Sequence, residues 1–414
     1  MGLSIRHDHG LFFPCLFMAV CRSHRSNTLE AKQMNIRLLA ILLPFTLLLS
    51  GCLGQMKLDE ITLLLTYGID LAKDGSLDIY TAAPVFSREA KKKTEIMHVH
   101  SKSLREGRDH LEDEAIGVVA TGKIQNIIFS KKLLQQKSIF ELLDVVFRDP
   151  KSSLKADLVL VDTPIKQVIA INVADKPRLS VYLRELVQSA HTSESSVLTS
   201  VRTLYHQYYE KGITPYLTEM KLIENRLNIA GTSLLTKKGF YADTLNPKES
   251  TYLLILQRDI QHPVSMNIEL PQHLFKKKGQ LRNSISFLID YTRFTYKTSY
   301  LDGHFQFDLH FNFRIVINEV LVNANPLKDQ KRLEQALADQ IKKEMDALVT
   351  KLQKQHLDPI GLGIYARAFS YNEWKQVQHD WGLAFSKAKV NINPTVSIIS
   401  IGSLKNAGIK ANIK

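Results

Sequence analysis

The clearest pattern in the chain is a strict alternation in its C-terminal third. Phe305, Phe307, Leu309, Phe311, Phe313, Ile315 and Ile317 are separated by Gln306, Asp308, His310, Asn312, Arg314 and Val316. Apolar side chains at every second position predict a long strand with one buried face and one mostly wet face. Such a strand fits an antiparallel sheet, because parallel strands covered on both sides are apolar throughout. The period then changes. Leu333, Leu337, Ile341, Met345, Leu348 and Leu352 step by three or four, which places them on one face of a long helix with Lys, Glu and Gln outside. That helix stops at His356-Leu357-Asp358-Pro359. Trp374, Val377, Trp381 and Phe385 predict a shorter helix. Val390–Ile401 reads as a closing strand, interrupted by Pro394 and ended by Gly402. Helices packed on a largely antiparallel sheet make residues 221–411 an α+β domain.

Residues 52–220 read as a second α+β region in which short strands and helices alternate. Leu63–Ile69 and Leu77–Val85 form a hairpin about the turn Lys73-Asp74-Gly75-Ser76. Ser103 and Glu106 predict a capping box for a helix ending at Glu114. Gly122–Phe129 and Ala156–Val161 read as strands. Ile139–Phe147 reads as a helix stopped by Asp149-Pro150, and Thr163-Pro164 opens another helical stretch through Ile169. Residues 188–215 begin polar, carry a helix and end at Gly212 and Pro215 as a connector. A second hairpin pairs Leu227–Gly231 with Phe240–Leu245 across Lys237-Lys238-Gly239.

A different signal precedes both regions. Leu38–Leu49 is a run of twelve uncharged, mostly apolar residues, flanked by Met34-Asn35-Ile36-Arg37 and by Leu49-Ser50-Gly51-Cys52. The run is shorter than the roughly 20 residues a spanning helix needs, and matches the apolar region of a signal peptide. Leu-Ser-Gly-Cys resembles a lipobox, in which the cysteine thiol receives a diacylglyceryl group. Residues 34–51 are therefore expected to be a lipoprotein signal peptide and Cys52 the lipidated residue. Residues 1–33 are expected to be an upstream extension or leader. Cys15 and Cys21 precede the cut, so cysteine chemistry beyond the anchor is excluded in the mature chain.

Charge changes the picture only slightly. The chain has 54 Lys and Arg against 41 Asp and Glu, and a net +10 remains from Cys52 onward. The basic residues are scattered, with Lys91-Lys92-Lys93 and Lys276-Lys277-Lys278 the only triples, and no nucleic-acid motif accompanies them. On an anchored protein they would instead orient it on an anionic membrane, at about 1 kcal/mol each. Candidate chemistry is sparse. His98 and His100 share a face of one strand, with His110 nearby, but lack further ligand spacing, and His304 and His310 sit on the wet face of the long strand. Gly361-Leu362-Gly363 follows a helix and not a strand, so it reads as a turn and not as a phosphate loop. No nucleophile elbow, metalloprotease motif or P-loop is present. The residues point to a lipid-anchored binding or assembly protein.

Several stretches resemble a known family, the Ger(x)C lipoproteins, which are C subunits of nutrient germinant receptors in endospore-forming bacteria. They are Cys52, Tyr67-Gly68-Ile69-Asp70 before Lys73-Asp74-Gly75, Ser103-Leu104-Arg105-Glu106, Phe147-Arg148-Asp149-Pro150 and Asp157-Leu158-Val159-Leu160-Val161. The most specific is Asp358-Pro359-Ile360-Gly361-Leu362-Gly363, followed by Trp374, Trp381 and Gly402. Leu53 stands where the family usually has tryptophan, and Tyr67 where it has a second glycine. The resemblance implies several small α+β domains, no catalysis, and no cofactor or metal beyond the lipid on Cys52. It implies a place on the outer face of the spore inner membrane, beside integral-membrane A and B subunits, and no nucleic-acid partner. Asp358, Pro359, Gly361 and Gly363 are expected to be structural turn residues. The alternative function is a solute-binding lipoprotein of a transporter, which would favour repeated βαβ units over the antiparallel pattern at Phe305–Ile317.

Overall fold

The computed structural model describes residues 60–86, 89–171, 176–260, 263–271, 283–324, 326 and 328–402. The apolar run, the lipobox and Cys52 lie outside the described residues. After β1 (Ile61–Leu63), the expected hairpin joins β2 (Thr66–Leu71) to β3 (Leu77–Pro84), with Leu71 opposite Leu77. Gly75 in its turn has φ +85°, a backbone region open to glycine at little cost. β4 (Thr94–Ser101) extends this antiparallel unit and leads into α1 (Leu104–Glu114). Ser103 Oγ caps α1 by accepting from Glu106 N, while the Glu106 carboxylate accepts from Lys102 N at 2.6 Å. The expected reciprocal box is thus displaced by one residue.

β5 (Val118–Ala120) pairs in parallel with β1. The strand expected over Gly122–Phe129 is narrower, because Thr121–Ile124 closes a turn before β6 (Asn126–Ser130). There follow α2 (Lys131–Leu134), α3 (Ile139–Arg148), β7 (Asp157–Val161), α4 (Ile165–Ile169), α5 (Leu179–Thr192) and α6 (Val201–Tyr209). Then come β8 (Tyr216–Ile223), β9 (Arg226–Leu235) and β10 (Tyr241–Leu245). The eight-stranded sheet runs β10-β9-β8-β7-β6-β2-β3-β4, with β2, β6, β7 and β8 parallel and antiparallel hairpins at both ends. Helices cover both faces. Ile127, Phe129, Leu158 and Leu160 pack with Leu104, Leu143 and Leu204, while Ile128, Val159 and Val161 pack with Ile165, Leu183 and Val187. Every residue of β6 and β7 is therefore buried, which is why Asp157–Val161 is an almost unbroken apolar run. The second hairpin, expected to open the C-terminal domain, instead extends this sheet, and residue 220 lies inside β8.

α7 (Pro247–Gln257) has no counterpart among the expected elements. Seven consecutive residues, Ser250–Leu256, are buried, so it has no polar face for periodicity to reveal. Its N-terminus carries a capping box between Asn246 and Glu249, with Pro247 at the first helical position. Beyond it β11 (Val264–Glu269), β12 (Ser284–Leu301), β13 (His304–Val320) and β14 (Lys389–Ile401) form a second sheet in that order. β13 is the alternating strand. Phe305, Phe307, Leu309, Phe311, Phe313, Ile315 and Ile317 are all buried, whereas His310, Asn312 and Arg314 are exposed. It pairs antiparallel with β12 but parallel with β14. The parallel pairing is allowed because α8 (Gln330–Lys354), α9 (Leu362–Phe369), α10 (Tyr371–Val377) and α11 (Trp381–Ser386) form the crossover between them. The predicted face of α8 is buried, with Leu333, Leu337, Ile341, Met345, Leu348 and Leu352 against the sheet. The helix expected around Trp374 and Trp381 is broken into α10, a 3₁₀ turn at Gln378–Asp380 and α11. Mixed sheets with packed helices make the chain α+β. Among the described residues, no helix is long and apolar enough to cross a membrane.

Candidate functional site: the Asp358 joint and neighbouring surfaces

Two residues past the end of α8, His356 has φ +58°, and the turn that follows buries the Asp358 carboxylate completely. Its Oδ1 accepts from Gly361 N at 2.9 Å, and its Oδ2 accepts from Gly363 N at 2.9 Å and from Trp381 Nε1 at 2.8 Å. Three donors hold one carboxylate, and the carboxylate in turn fixes the start of α9 and the position of α11. Burial nevertheless outweighs these donors and pushes the acid up to about 6. Pro359 presents its carbonyl to Gln257 Nε2 at 2.8 Å, tying the turn to α7. Gly361, with φ +83°, is the residue before α9, and Gly363 lies in its first turn. These positions are more than a turn, because they begin a helix that was not among the expected elements.

The joint also reaches the first sheet. Asp358 N donates to Thr214 Oγ1 at 2.7 Å, and Thr214 N donates back to Asp358 O at 2.8 Å. Thr214 belongs to the connector between α6 and β8. The same connector is held by Arg367, which donates to Glu210 Oε1 at 3.0 Å, and by Lys211 Nζ, which donates to Gln378 Oε1 at 2.8 Å. From the other side Lys237 Nζ donates to the carbonyls of Gln207 (2.7 Å) and Glu210 (2.6 Å) at the end of α6. Burial drives that ammonium down to about 8. A connector that reads as a spacer is thus clamped by both halves of the molecule.

Beside α6 lies a row of aromatic rings in which Tyr205, Tyr208 and Tyr209 are exposed, Phe147 is half-buried and Phe140 is buried. Phe140 meets Tyr208 (4.2 Å between centroids), Tyr208 meets Tyr209 (4.9 Å), Tyr209 meets Tyr205 (4.7 Å), and Tyr205 meets Phe147 (4.9 Å). They line an open groove of about 980 Å³ between α3, α6 and the Lys237–Phe240 turn. Between the first sheet and helices α1 and α3 a narrow apolar cavity of about 50 Å³, bordered by Tyr67, Leu104 and Leu143, has room for only a few water-sized groups.

His98 and His100 do share a face of β4. Both imidazoles reach Asp78 Oδ1 at 3.1 Å, and His100 also meets Asp74 Oδ2 at 3.2 Å. Hydrogen bonds to Asp78 and Asp74 raise the His100 pKa. His98 stacks on Tyr80 at 4.3 Å. Among the described residues, no group of three or more His, Cys, Asp or Glu side chains is arranged to hold a metal ion. His304 and His310 lie on β13, apart from this cluster.

Two family models match consecutive parts of the chain. The spore germination protein N-terminal domain matches residues 54–222, and the spore germination B3/GerAC-like C-terminal domain matches residues 230–402. The first ends in β8 and the second begins within β9, so the division falls inside the eight-stranded sheet. The spore germination protein GerQC of Bacillus cereus is 21% identical over 342 residues, which is 81% of this chain and 92% of that protein. The crystal structure of the GerBC protein has a similar fold, with a TM-score of 0.54 at 14% identity, covering 80% of this chain and 96% of that one.

Proposed function

The chain belongs to the Ger(x)C family of spore germination proteins, and from that membership we propose that it is the lipid-anchored C subunit of a nutrient germinant receptor. The observation that carries the reading is the pair of family matches, which together run from residue 54 to residue 402 in the family's own order. The sequence just before them supports the anchor: a basic residue, an apolar run and Leu-Ser-Gly-Cys end at Cys52. In this reading Cys52 carries the acyl lipid and the folded part stands on the outer face of the spore inner membrane. There it works by assembly with integral-membrane A and B subunits, and no catalytic residue is assigned. The fold supports such a role, because Asp358 and its partners lock two sheets into one scaffold.

The test is germination of spores in a strain lacking other nutrient receptors, comparing wild type, a full deletion and Cys52→Ala. Dipicolinate release would be followed for a panel of nutrients and for a receptor-independent trigger. Loss of the nutrient response in both mutants, with the other trigger intact, is the expected result. Normal nutrient germination of the deletion strain would sink the receptor reading. A normal response of Cys52→Ala alone would remove the anchor from it.

A further inference from the structure

The four-stranded sheet has two edges, and the chain treats them differently. On β14 the outer backbone groups are occupied from α8. Ile398 N donates to Glu334 Oε1 (2.8 Å), Gln330 Nε2 donates to Ile398 O (3.3 Å), and Lys342 Nζ donates to Ile392 O (2.8 Å). Pro394, on the same strand, has no N–H to offer. That edge is closed to any further strand.

Among the described residues, the other edge is open over much of its length. β11 pairs with β12 only from Ser284 to Ile289. From Tyr291 to Leu301, β12 pairs with β13 on its inner side, and among the described residues no backbone hydrogen bond is made on its outer side. At roughly 3.3 Å per residue, Asp290–Leu301 offers a strip about 40 Å long of unpaired donors and acceptors. Natural edges of this length are blunted by proline, bulges, cover or charged side chains, and of these the strip carries only charge, Asp290 at its start and Arg293 and Lys297 within it. The bulges of β12 lie at Ser286/Phe287, within the stretch paired with β11, and at Ile289/Tyr291, where β11 gives out, and none follows. Residues 290–301 contain neither Pro nor Gly.

The side chains along the strip say what fits. Arg293 and Lys297 stand on the wet face, and Arg314 on β13 is opposite Tyr291. None of the three basic side chains makes an ion pair or hydrogen bond among the described residues. Asp308, opposite Lys297, is instead engaged by Gln306 and Asn391. A second copy of β12 laid antiparallel would bring Arg293 and Lys297 near their own counterparts, which like-charge repulsion disfavours. The geometry points to a docking strand: the outer edge of β12, from Asp290 to Leu301, accepts an extended segment of a partner protein bearing acidic side chains at alternate positions. Backbone pairing would supply the attraction and the acidic alternation the selectivity. Such docking needs neither lipid nor membrane subunits, and so stands apart from the receptor reading.

The probe is a labelled peptide of about ten residues alternating Glu and Thr, titrated into the purified chain by fluorescence anisotropy. Peptides with Lys in place of Glu, or with a central Pro, serve as comparisons. Amide exchange of residues 290–301 is followed in parallel. Saturable binding of the acidic peptide is expected, with exchange in that segment slowed about tenfold and the comparison peptides at least about tenfold weaker. The double variant R293E/K297E, altered only on the wet face and checked by circular dichroism, should prefer the Lys peptide. Unchanged exchange in 290–301, or equal binding of the Pro peptide, would overturn the proposal. So would binding to phosphatidylglycerol vesicles with all peptides inert, which would assign the basic face to a lipid surface.

Discussion

Gly363 lies so close to Gly212 that a Cβ on either residue would sit 2.5 Å from the other's backbone. The two residues belong to different parts of the chain, the first turn of α9 and the connector before β8. Their contact is main chain against main chain, so neither side can give by rotating a side chain. On the other flank the same Cβ of Gly363 would stand 2.7 Å from the Trp381 ring.

Gly363→Ala should therefore lose about 2–4 kcal/mol of stability, the range of a severe overpacking. Gly361→Ala meets nothing nearer than 3.4 Å but must keep φ +83°, which costs about 1–2 kcal/mol. Denaturant unfolding of both variants should rank them in that order. A milder effect at Gly363 would mean that the connector moves freely against α9.

Thr214→Val keeps the shape of the side chain but removes the acceptor for the buried Asp358 N–H. An orphaned buried donor costs about 1–3 kcal/mol. Arg367→Ala removes a partly exposed ion pair with Glu210, and should cost less than about 1 kcal/mol of pairing energy, apart from its contact over the Trp374 ring at 5.6 Å. Thermal melts of the two variants should separate them clearly.

The raised pKa of Asp358 sets a pH dependence whose sign can be worked out. An acid that holds its proton more tightly when folded than when unfolded adds stability as pH falls. The gain should develop as pH drops from about 6 toward the ordinary carboxylate value, and stability should be lost again as pH rises through that window. Asp358→Asn abolishes the titration, although its amide presents hydrogens to donors. The difference in unfolding free energy between wild type and Asp358→Asn, measured from about pH 4 to 7, should shift by about 1–3 kcal/mol. A flat difference would mean that the three donors balance burial, and a slope of the opposite sign that they outweigh it.

The two faces of β13 should respond oppositely to truncation. Phe311→Ala opens a cavity in the core and should cost about 3–5 kcal/mol. Asn312→Ala, one residue along, should stay within about 0.5 kcal/mol. Equal losses in chemical denaturation would contradict the alternation.

Where side chains meet water on one side, the fold is legible in the residues. β13 and α8 are plain from Phe305–Ile317 and Leu333–Leu352, because burial on one face and solvent on the other writes a period into the chain. α7 escapes such a reading because helices and sheets surround it, although Asn246-Pro247-Lys248-Glu249 announces its start. β12 escapes it because Phe294, Tyr296 and Tyr300 alternate with Thr295, Lys297 and Ser299 in a strand whose core face is only half-buried. The aromatic and β-branched residues there are its signal. At the joint, Gly361-Leu362-Gly363 reads as a turn from the residues themselves, and the family resemblance adds Asp358. Their partners cannot be read this way. Thr214 and Gly212 lie far away in sequence, and no local pattern records a contact made across two sheets.

That distance has a temporal consequence. The hydrogen bond between Thr214 and Asp358 spans 144 residues, so it forms only after β11, β12, β13 and α8 have been made. The connector before β8 is synthesised early and must wait, its donors and glycine surface met by water, until α8 has been delivered and its end has turned inward. Closing so long a loop carries a slow-growing but real entropic cost. A chain cut short before residue 358 would leave Thr214 without Asp358 and Lys211 without Gln378, so the connector would lose the partners that clasp it from the second sheet's side.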